Sequence, residues 1–292
     1  MGVVRMPNIA SWGAQFDAQQ RESLTDVLED GQVLLFSDLR FELNNEERQL
    51  LSPSTADGSS KNISFDPQSR RISGSALSGA QLEVLRAMMA RFVDQCTGFL
   101  QRMLPEYAGA LQTRLTSFRP LAVEGRDTSD RKNDTRLHVD AFASRPNHGQ
   151  RILRVFSNLN PDGKPRTWLV GEPFESYAQH LLPYVRRQWP LEAAVLHRLG
   201  ITKQRRTPYD HCMLQLHDHG KLSETYQRES PRTRIDFPAG STWICFTDQV
   251  LHAALGGQYM LEQTFFLPPA AMRHPERSPL RTLERLTGRA LV

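Results

Sequence analysis

Hydrophobic residues follow two different periods along the chain, and the period changes near residue 115. Before that point Ser78 and Gln81 form a capping-box pattern, so we predict that a helix begins at Ser78. Its apolar stripe would suit a partner-binding face, but a helix packed on a sheet is much the commoner structure with this pattern. The stripe has helical spacing and consists of Leu82, Leu85, Met88, Met89, Phe92, Cys96, Phe99, Leu100 and Leu104.

After residue 115, short apolar runs of strand length are separated by turn residues. Many short strands between Gly and Pro turns are typical of a sandwich or a jelly roll, and cupins share the jelly-roll architecture. We therefore predict a mainly β fold with flanking helices and a jelly-roll, cupin-like core. The predicted strands cover residues 33–36, 115–120, 136–142, 151–160, 166–170, 209–217, 235–237, 242–246 and 259–267, with a further strand around residue 252.

The 292 residues are predicted to form one domain, because all-β cores with added helices often reach this length as a single unit. Residues 1–114 are expected to form a helical and irregular region packed on the core. The jelly-roll core is assigned to residues 115–270, with a helical insert at 174–198. Residues 271–292 carry leucines and arginines at helical spacing and are predicted to form a C-terminal helix.

Composition and charge indicate which partners and which cellular compartment the protein has. The formal net charge of +4 favours anionic partners. Three widely spaced cysteines indicate a reducing compartment, and we see neither a signal peptide nor an apolar run long enough to span a membrane, so we expect a cytoplasmic protein. Aromatic residues make up 8% and form no basic, aromatic-rich platform, which argues against a nucleic-acid partner.

A metal site is suggested by His138 and Asp140, which lie two apart at the end of a predicted strand and so point to one face. His252, after another strand-like run, can supply a third ligand. Two histidines and one carboxylate form the facial triad of non-haem Fe(II) oxygenases, with positions open for a cosubstrate and O2. A His-x-Asp pair is common by chance, and its alternative is a structural His beside a solvated Asp.

Oxygenases with this triad usually need two further electrons, which 2-oxoglutarate can supply. Its distal carboxylate needs a buried cation, and the fork of an Arg binds a carboxylate with two hydrogen bonds. Arg154 is our first candidate, because it stands inside the apolar strand 151–160, where an unpaired charge is costly. The alternative is an edge-strand Arg whose guanidinium reaches water.

Three further residues are candidates for the same cosubstrate. Arg119 lies between Phe118 and Pro120, shortly before the metal stretch. Gln263 shares an apolar strand face with its neighbours, so we expect it to need an inward hydrogen-bond partner. The Trp168 indole can donate to the ligand, although a core Trp with a backbone partner is equally plausible.

Five stretches together resemble the Kdo 3-hydroxylases, which act on 3-deoxy-D-manno-oct-2-ulosonic acid (Kdo) of Gram-negative lipopolysaccharide. The resemblance runs from about residue 115 to the C-terminus and rests on residues 138–142, 151–156, 168–174, 209–211 and 240–243. It implies a double-stranded β-helix core, Fe(II) at the triad, and 2-oxoglutarate near Arg154, Arg119, Trp168 and Gln263. It also implies hydroxylation at C3 of the outer Kdo sugar of a Kdo–lipid A precursor, with 2-oxoglutarate converted to succinate and CO2.

Other functions remain open at this point. A hydroxylase of another small molecule, a protein or a nucleic acid would use the same triad, Zn2+ with these ligands could give a hydrolase, and a jelly roll can be a non-catalytic binding module. A basic run, residues 186–206, has six Lys and Arg against one acid. It is either a solvated face or a site for an anionic substrate at the inner membrane. The candidate substrate residues are Lys203, Arg205, Arg206 and His211.

Overall fold

Eleven strands form two facing sheets in the part of the chain that the structure, a computed structural model, describes: residues 2–60, 62–124 and 129–292. The strands are β1 (Val3–Arg5), β2 (Val33–Phe36), β3 (Ile63–Phe65), β4 (Ile72–Ser73), β5 (Gln112–Arg119), β6 (Arg151–Asn158), β7 (Arg166–Gly171), β8 (Arg232–Phe237), β9 (Thr242–Phe246), β10 (His252–Gly256) and β11 (Met260–Leu267). The helices are α1 (Ala18–Glu29), α2 (Asn45–Arg48), α3 (Gly79–Met103), α4 (Phe174–Leu181), α5 (Glu192–Arg198), α6 (Pro208–Leu222), α7 (Glu224–Glu229) and α8 (Pro279–Thr287).

The large sheet has eight strands in the order β1-β2-β9-β6-β11-β5-β3-β4, and the small sheet has the order β10-β7-β8. Aromatic side chains fill the space between them. Trp243 of the large sheet stacks on Phe237 of the small sheet, with ring centroids 4.2 Å apart. Trp168 of β7 meets Phe156 of β6 edge to face, with centroids 5.1 Å apart. Two sheets around a shared core confirm the predicted jelly roll.

Helix α3 covers the outer face of the large sheet. Its buried residues, among them Phe92 and Phe99, share one hydrophobic cluster with Leu153 and Val155 of β6 and Phe265 of β11. This confirms that the apolar stripe packs on a sheet. Ser78 is the N-cap, as predicted, but its side chain makes no capping hydrogen bond, so the capping-box prediction was wrong.

Residues 209–217 form part of helix α6, and their prediction as a strand was wrong. Thr207 caps this helix, its side chain accepting from the Asp210 amide while the Asp210 side chain accepts from the Thr207 amide. Pro208 occupies the first turn, where its missing N–H costs nothing. Buried residues at 209, 212, 213 and 216 follow helical spacing, a pattern that the alternating polar residues obscured.

The regions flanking the core differ from the prediction in extent. Residues 1–114 contribute β1 and β2 at one edge of the large sheet and β3 and β4 at the other, in addition to α1–α3. The helical insert continues through α6 and α7 to residue 229. The C-terminal helix is present as α8, where the Ser278 hydroxyl accepts from the Arg281 amide. Among the described helices, none combines the length and the apolarity that crossing a bilayer requires.

Candidate active site

His138, Asp140 and His252 meet between the two sheets, and their ligand atoms all lie within 4.8 Å of one another. His252 begins β10, whereas His138 lies on an extended segment paired to it by a single bridge. The bridge has two backbone hydrogen bonds, of 3.0 and 2.9 Å. The Asp140 amide donates to the Thr247 carbonyl at 2.8 Å. Backbone pairing therefore holds His138 against β10, the strand of the third ligand, and Asp140 against the residue that follows β9.

Hydrogen bonding sets the tautomer of both imidazoles. Nδ1 of His138 lies 2.7 Å from the Arg136 carbonyl, and Nδ1 of His252 lies 2.8 Å from the Val250 carbonyl. A carbonyl only accepts, so each Nδ1 carries the proton and each Nε2 presents a lone pair. Asp140 Oδ2 is buried and accepts no hydrogen bond from the described residues, although the Arg154 guanidinium lies 3.0 Å away. Two oriented imidazole nitrogens and a buried carboxylate oxygen fit a divalent metal ion such as iron.

The electrostatics keep the three groups in their metal-binding protonation states. Burial, with the neighbouring His252, holds the pKa of His138 well below its usual value. Burial also lowers the pKa of His252. Burial alone would raise the pKa of the Asp140 carboxyl, but the Arg154 guanidinium and the two imidazoles hold that pKa well below its usual value. The neutral imidazoles and the carboxylate are therefore the forms present at neutral pH.

A small cavity of about 60 Å³ opens over the triad. Three arginines from three different strands line it, together with two acids and an aromatic wall. These residues are Arg119, Arg154, Arg166, Asp134, Glu262, Phe156 and Trp168, and Ala254 and Met260 complete the lining. A cavity that brings several guanidinium groups next to a metal site suits an anionic ligand.

Arg154 lines this cavity next to Asp140. Its side chain is 11% exposed, so it does not reach water as a snorkelling edge residue would. One guanidinium nitrogen lies 3.0 Å from Asp140 Oδ2 and 3.2 Å from Glu262 Oε1. Arg119 pairs with the other Glu262 oxygen at 2.6 Å. Both arginines therefore face the triad with acids balancing their charges.

Trp168 forms part of the wall beside the metal site. Its ring stacks on His252 with centroids 4.8 Å apart and planes 24° from parallel. Its indole nitrogen is buried and has no hydrogen-bond partner among the described residues. The alternative that the sequence left open, a backbone hydrogen-bond partner for the Trp168 indole, is therefore not observed among the described residues. A donor that the fold leaves unsatisfied beside the cavity is available to a ligand.

Gln263 lies on the opposite face of β11, so the prediction that it points toward the cosubstrate was wrong. Its amide oxygen accepts from the Thr116 hydroxyl at 2.5 Å, and its nitrogen donates to the Arg114 and Thr264 carbonyls. Its face packs under α3 with Leu261 and Phe265. The preceding residue, Glu262, takes the inward position that the sequence had assigned to Gln263.

Sequence reasoning missed three charged cavity residues: Arg166, Glu262 and Asp134. Arg166 stands two residues before Trp168 on β7, so strand alternation places both on the face toward the cavity. Glu262 follows from the same alternation once the register of β11 is known. Asp134 precedes the metal stretch in a loop, where no periodic signal exists.

The candidate substrate residues lie outside the cavity. Lys203 and Arg205 are exposed and Arg206 is half-buried, in a segment whose Lys203 amide donates to the Ser144 carbonyl at 2.8 Å. His211 is buried on α6, with Nε2 3.2 Å from the Arg186 carbonyl. His211 therefore contacts the backbone of the basic run, at Arg186, from the buried side.

The fold and the site together define a class. A jelly roll that holds two histidines and one carboxylate, with open space for ligands, has the arrangement of the non-haem Fe(II) oxygenases. The model of the family described as 3-deoxy-D-manno-oct-2-ulosonic acid (Kdo) hydroxylase matches residues 11–290, and the chain belongs to this family. The resemblance noted in the sequence is thereby confirmed.

Solved structures of the Kdo hydroxylase KdoO, a non-haem Fe(II) α-ketoglutarate-dependent dioxygenase, match nearly the whole chain. The complex of KdoO with α-ketoglutarate and Fe(III) is 47% identical, covers 100% of this chain and 98% of its own, and gives a TM-score of 0.97. The cobalt(II) complex is 48% identical, covers 99% of this chain and 97% of its own, and gives a TM-score of 0.97. The complex with succinate and Fe(III) is 47% identical, covers 99% of this chain and 97% of its own, and gives a TM-score of 0.96. A search of curated proteins found no match.

Proposed function

We propose that this protein is an Fe(II)- and 2-oxoglutarate-dependent dioxygenase that hydroxylates the outer Kdo sugar of a Kdo–lipid A precursor at C3. The observation that carries the proposal is the triad, whose ligand atoms lie within 4.8 Å of one another in a chain of the Kdo hydroxylase family. Support for the cofactors comes from the related KdoO, which has been crystallised with Fe(III) and α-ketoglutarate, another name for 2-oxoglutarate.

The triad would hold the iron through Nε2 of His138, Nε2 of His252 and a carboxylate oxygen of Asp140. When bound, iron with 2-oxoglutarate and O2 supplies an oxidant that replaces a C–H bond by C–OH. One oxygen atom enters the sugar and the other enters succinate, with CO2 released. The residues of this chain keep both imidazoles neutral and oriented, and they keep Asp140 ionised beside Arg154.

The cosubstrate would be held by the cations and the indole of the cavity. Arg154 is the proposed anchor for a carboxylate, because its guanidinium is buried and faces the triad. Arg119 flanks the same Glu262, and the unsatisfied Trp168 indole can donate one further hydrogen bond. Binding an anion here requires the arginines to exchange part of their pairing with Asp140 and Glu262 for the ligand, which keeps the buried charges compensated.

The lipid-linked substrate would be met at the cytoplasmic face of the inner membrane. Kdo carries a carboxylate and its lipid anchor carries phosphates, so Lys203, Arg205 and Arg206 would attract the substrate from outside the cavity. His211 would act on this reaction only by holding the segment of Arg186. An anionic membrane surface attracts each nearby basic residue by about 1 kcal/mol, which makes peripheral contact favourable.

The test is succinate formation by the purified protein with Fe(II), 2-oxoglutarate and O2, with and without a Kdo-containing lipid A precursor. We expect the Kdo lipid to stimulate turnover, whereas a lipid A precursor without Kdo should not. Equal rates with both lipids would contradict the assigned substrate. No succinate under any condition would favour a non-catalytic jelly roll.

Reversing Lys203, Arg205 and Arg206 to Glu tests the basic run separately. The Kdo–lipid reaction should slow and become less sensitive to salt, while slow 2-oxoglutarate decay without substrate should continue. If neither salt nor charge reversal affects the lipid reaction, these residues form only a solvated face.

A further inference from the structure

A continuous stretch before α6 exposes apolar side chains to solvent. Six of the eight large hydrophobic residues that are exposed in the described chain lie between residues 184 and 201. We call these six the apolar surface: Tyr184 (67% exposed), Trp189 (71%), Leu191 (77%), Val195 (52%), Leu199 (67%) and Ile201 (52%). Single exposed hydrophobic residues are ordinary, but a cluster of this kind marks an interaction surface.

Helix α5 arranges part of this surface as a stripe. Leu191, at the N-cap, precedes Val195 by four residues, and Leu199 follows after four more. Leu191 and Leu199 flank α5 at its two ends and Val195 lies between them, and all three side chains are exposed to solvent. An amphipathic helix in a globular protein packs its apolar side chains against the core, whereas α5 exposes them to solvent.

Hydrogen bonds hold the stretch in this exposed position. Glu192 receives two hydrogen bonds of 2.9 Å from the Arg186 guanidinium and one of 3.1 Å from the Trp189 amide. His211 of α6 contacts the Arg186 carbonyl from the buried side. Leu191 adopts a φ of 68°, which a residue with a β-carbon rarely does. The fold therefore presents Leu191 to water at a backbone cost, and such strain persists where the surroundings determine the conformation.

Unpaired cations surround the apolar surface. Arg187, Arg198, Lys203 and Arg205 are all exposed, and none of them pairs with a carboxylate in the described part of the chain. Two copies of this chain pairing through the surface would bring these cations together. An anionic lipid surface would instead attract them, and Trp, Tyr and Leu side chains suit the boundary between headgroups and acyl chains.

We propose that the apolar surface inserts into the interface of an anionic lipid bilayer, with the surrounding cations resting on the headgroups. The identity of this bilayer as the one that holds the substrate rests on the proposed function, but the insertion itself does not. The stretch is also tied to the active site. The Lys203 amide bonds to the Ser144 carbonyl at 2.8 Å, and the His148 imidazole lies 2.9 Å from the Arg205 carbonyl. The loop directly after Asp140 is thus attached to the membrane-binding element.

Trp189 provides a direct readout. Trp168 and Trp243 are buried, and the Trp12 indole donates to the Arg40 carbonyl at 2.8 Å, so Trp189 is the tryptophan that a bilayer would newly cover. With vesicles of phosphatidylcholine and phosphatidylglycerol, we expect the protein to co-sediment and its tryptophan emission to shift to shorter wavelength. Vesicles of phosphatidylcholine alone should bind the protein more weakly, and Trp189→Phe should abolish the emission shift.

The decisive variant is Trp189→Ser/Leu191→Ser/Leu199→Ser, compared with Val292→Ser, which changes an exposed apolar residue elsewhere (57% exposed). The triple variant should lose about ten-fold or more in vesicle partitioning, since each inserted apolar side chain adds to the binding energy, and the control should lose nothing. Equal binding by wild type and triple variant, or no binding by either, overturns the proposal. A dimer that dissociates in the triple variant would show a second copy as the occupant and would also overturn it.

Turnover of a deacylated, water-soluble Kdo oligosaccharide separates this proposal from the proposed function. The triple variant should process it at the wild-type rate, because the altered side chains lie outside the cavity. If wild type binds vesicles but does not oxidise any Kdo substrate, the proposed function fails while membrane insertion stands.

Discussion

The Arg154 guanidinium lies 3.0 Å from Asp140 Oδ2, so the proposed anchor of the cosubstrate is paired with the proposed metal ligand. The same guanidinium lies 3.2 Å from Glu262. A change at any one of these three residues alters the charge balance of the other two, because they are buried together. Metal binding and cosubstrate binding are therefore expected to be coupled.

Replacing Arg154 tests its role as the anchor. Arg154→Ala should raise the KM for 2-oxoglutarate roughly 10- to 100-fold, because a hydrogen bond to a charged group contributes about 1.5–3 kcal/mol. Arg154→Lys should rescue only part of this, since a lysine cannot form the two-pronged contact. Initial rates against 2-oxoglutarate concentration, at saturating iron, provide the measurement. An unchanged KM in Arg154→Ala would move the anchor to Arg119.

Replacing any triad residue by Ala should remove turnover while the fold survives. Asp140→Ala is the sharpest case, because it removes the charged ligand and leaves both imidazoles in place. Metal content after anaerobic loading with Fe(II), together with circular dichroism, distinguishes a lost ligand from a lost fold. Full activity of folded Asp140→Ala would refute the assignment.

Stability of the metal-free protein should depend on pH through its buried histidines. Burial lowers the pKa of His138 and of His252 from the usual 6.5, so the unfolded chain binds protons more strongly than the folded one. Stability should therefore be fully present above about pH 6.5 and fall as the pH drops below that value. Urea unfolding in the presence of a chelator, between about pH 8 and about pH 5.5, measures this fall. If His252→Gln shows the same fall as wild type, the buried imidazole of His252 is not its cause.

Gly171 should be sensitive to an added methyl group. A β-carbon at Gly171 would lie 2.4 Å from Cδ2 of Leu251, the residue before the metal ligand His252. Gly171→Ala should lower the free energy of unfolding by about 1–3 kcal/mol and weaken iron binding, because His252 must shift with Leu251. A β-carbon at Gly109 would meet no atom within 4 Å, so Gly109→Ala is the matched control and should bind iron like wild type. Unaltered unfolding and iron binding in Gly171→Ala would show that the loop relaxes freely.

Much of the site could be predicted because strand alternation and ligand chemistry are local signals. His138, Asp140 and His252 were identified from residue type and spacing, and the structure brings them together. The alternation that groups Gln263 with Leu261 and Phe265 was right, but both faces of β11 are buried. The face of Gln263 packs under α3, and Glu262 faces the cavity instead.

Long-range packing limited the remaining predictions. Residues 209–217 alternate enough to suggest a strand, but the cap at Thr207 and the burial of one side make a helix. The exposure of Leu191 and Leu199 was also hidden from the sequence, since apolar residues at helical spacing ordinarily indicate a buried face. The folded structure is needed to reveal that α5, which has no buried residue, is left outside the core.

The most direct test of the proposed reaction follows both atoms of O2. Purified protein with Fe(II), 2-oxoglutarate and a Kdo–lipid A precursor would be incubated under heavy-isotope O2, and the products analysed by mass spectrometry. We predict one heavy oxygen atom at C3 of the outer Kdo sugar and one in succinate, in equal amounts, with neither formed by Asp140→Ala. A hydroxylated sugar without the isotope, or the isotope in succinate while the Kdo sugar stays unchanged at saturating lipid, would contradict the proposed reaction.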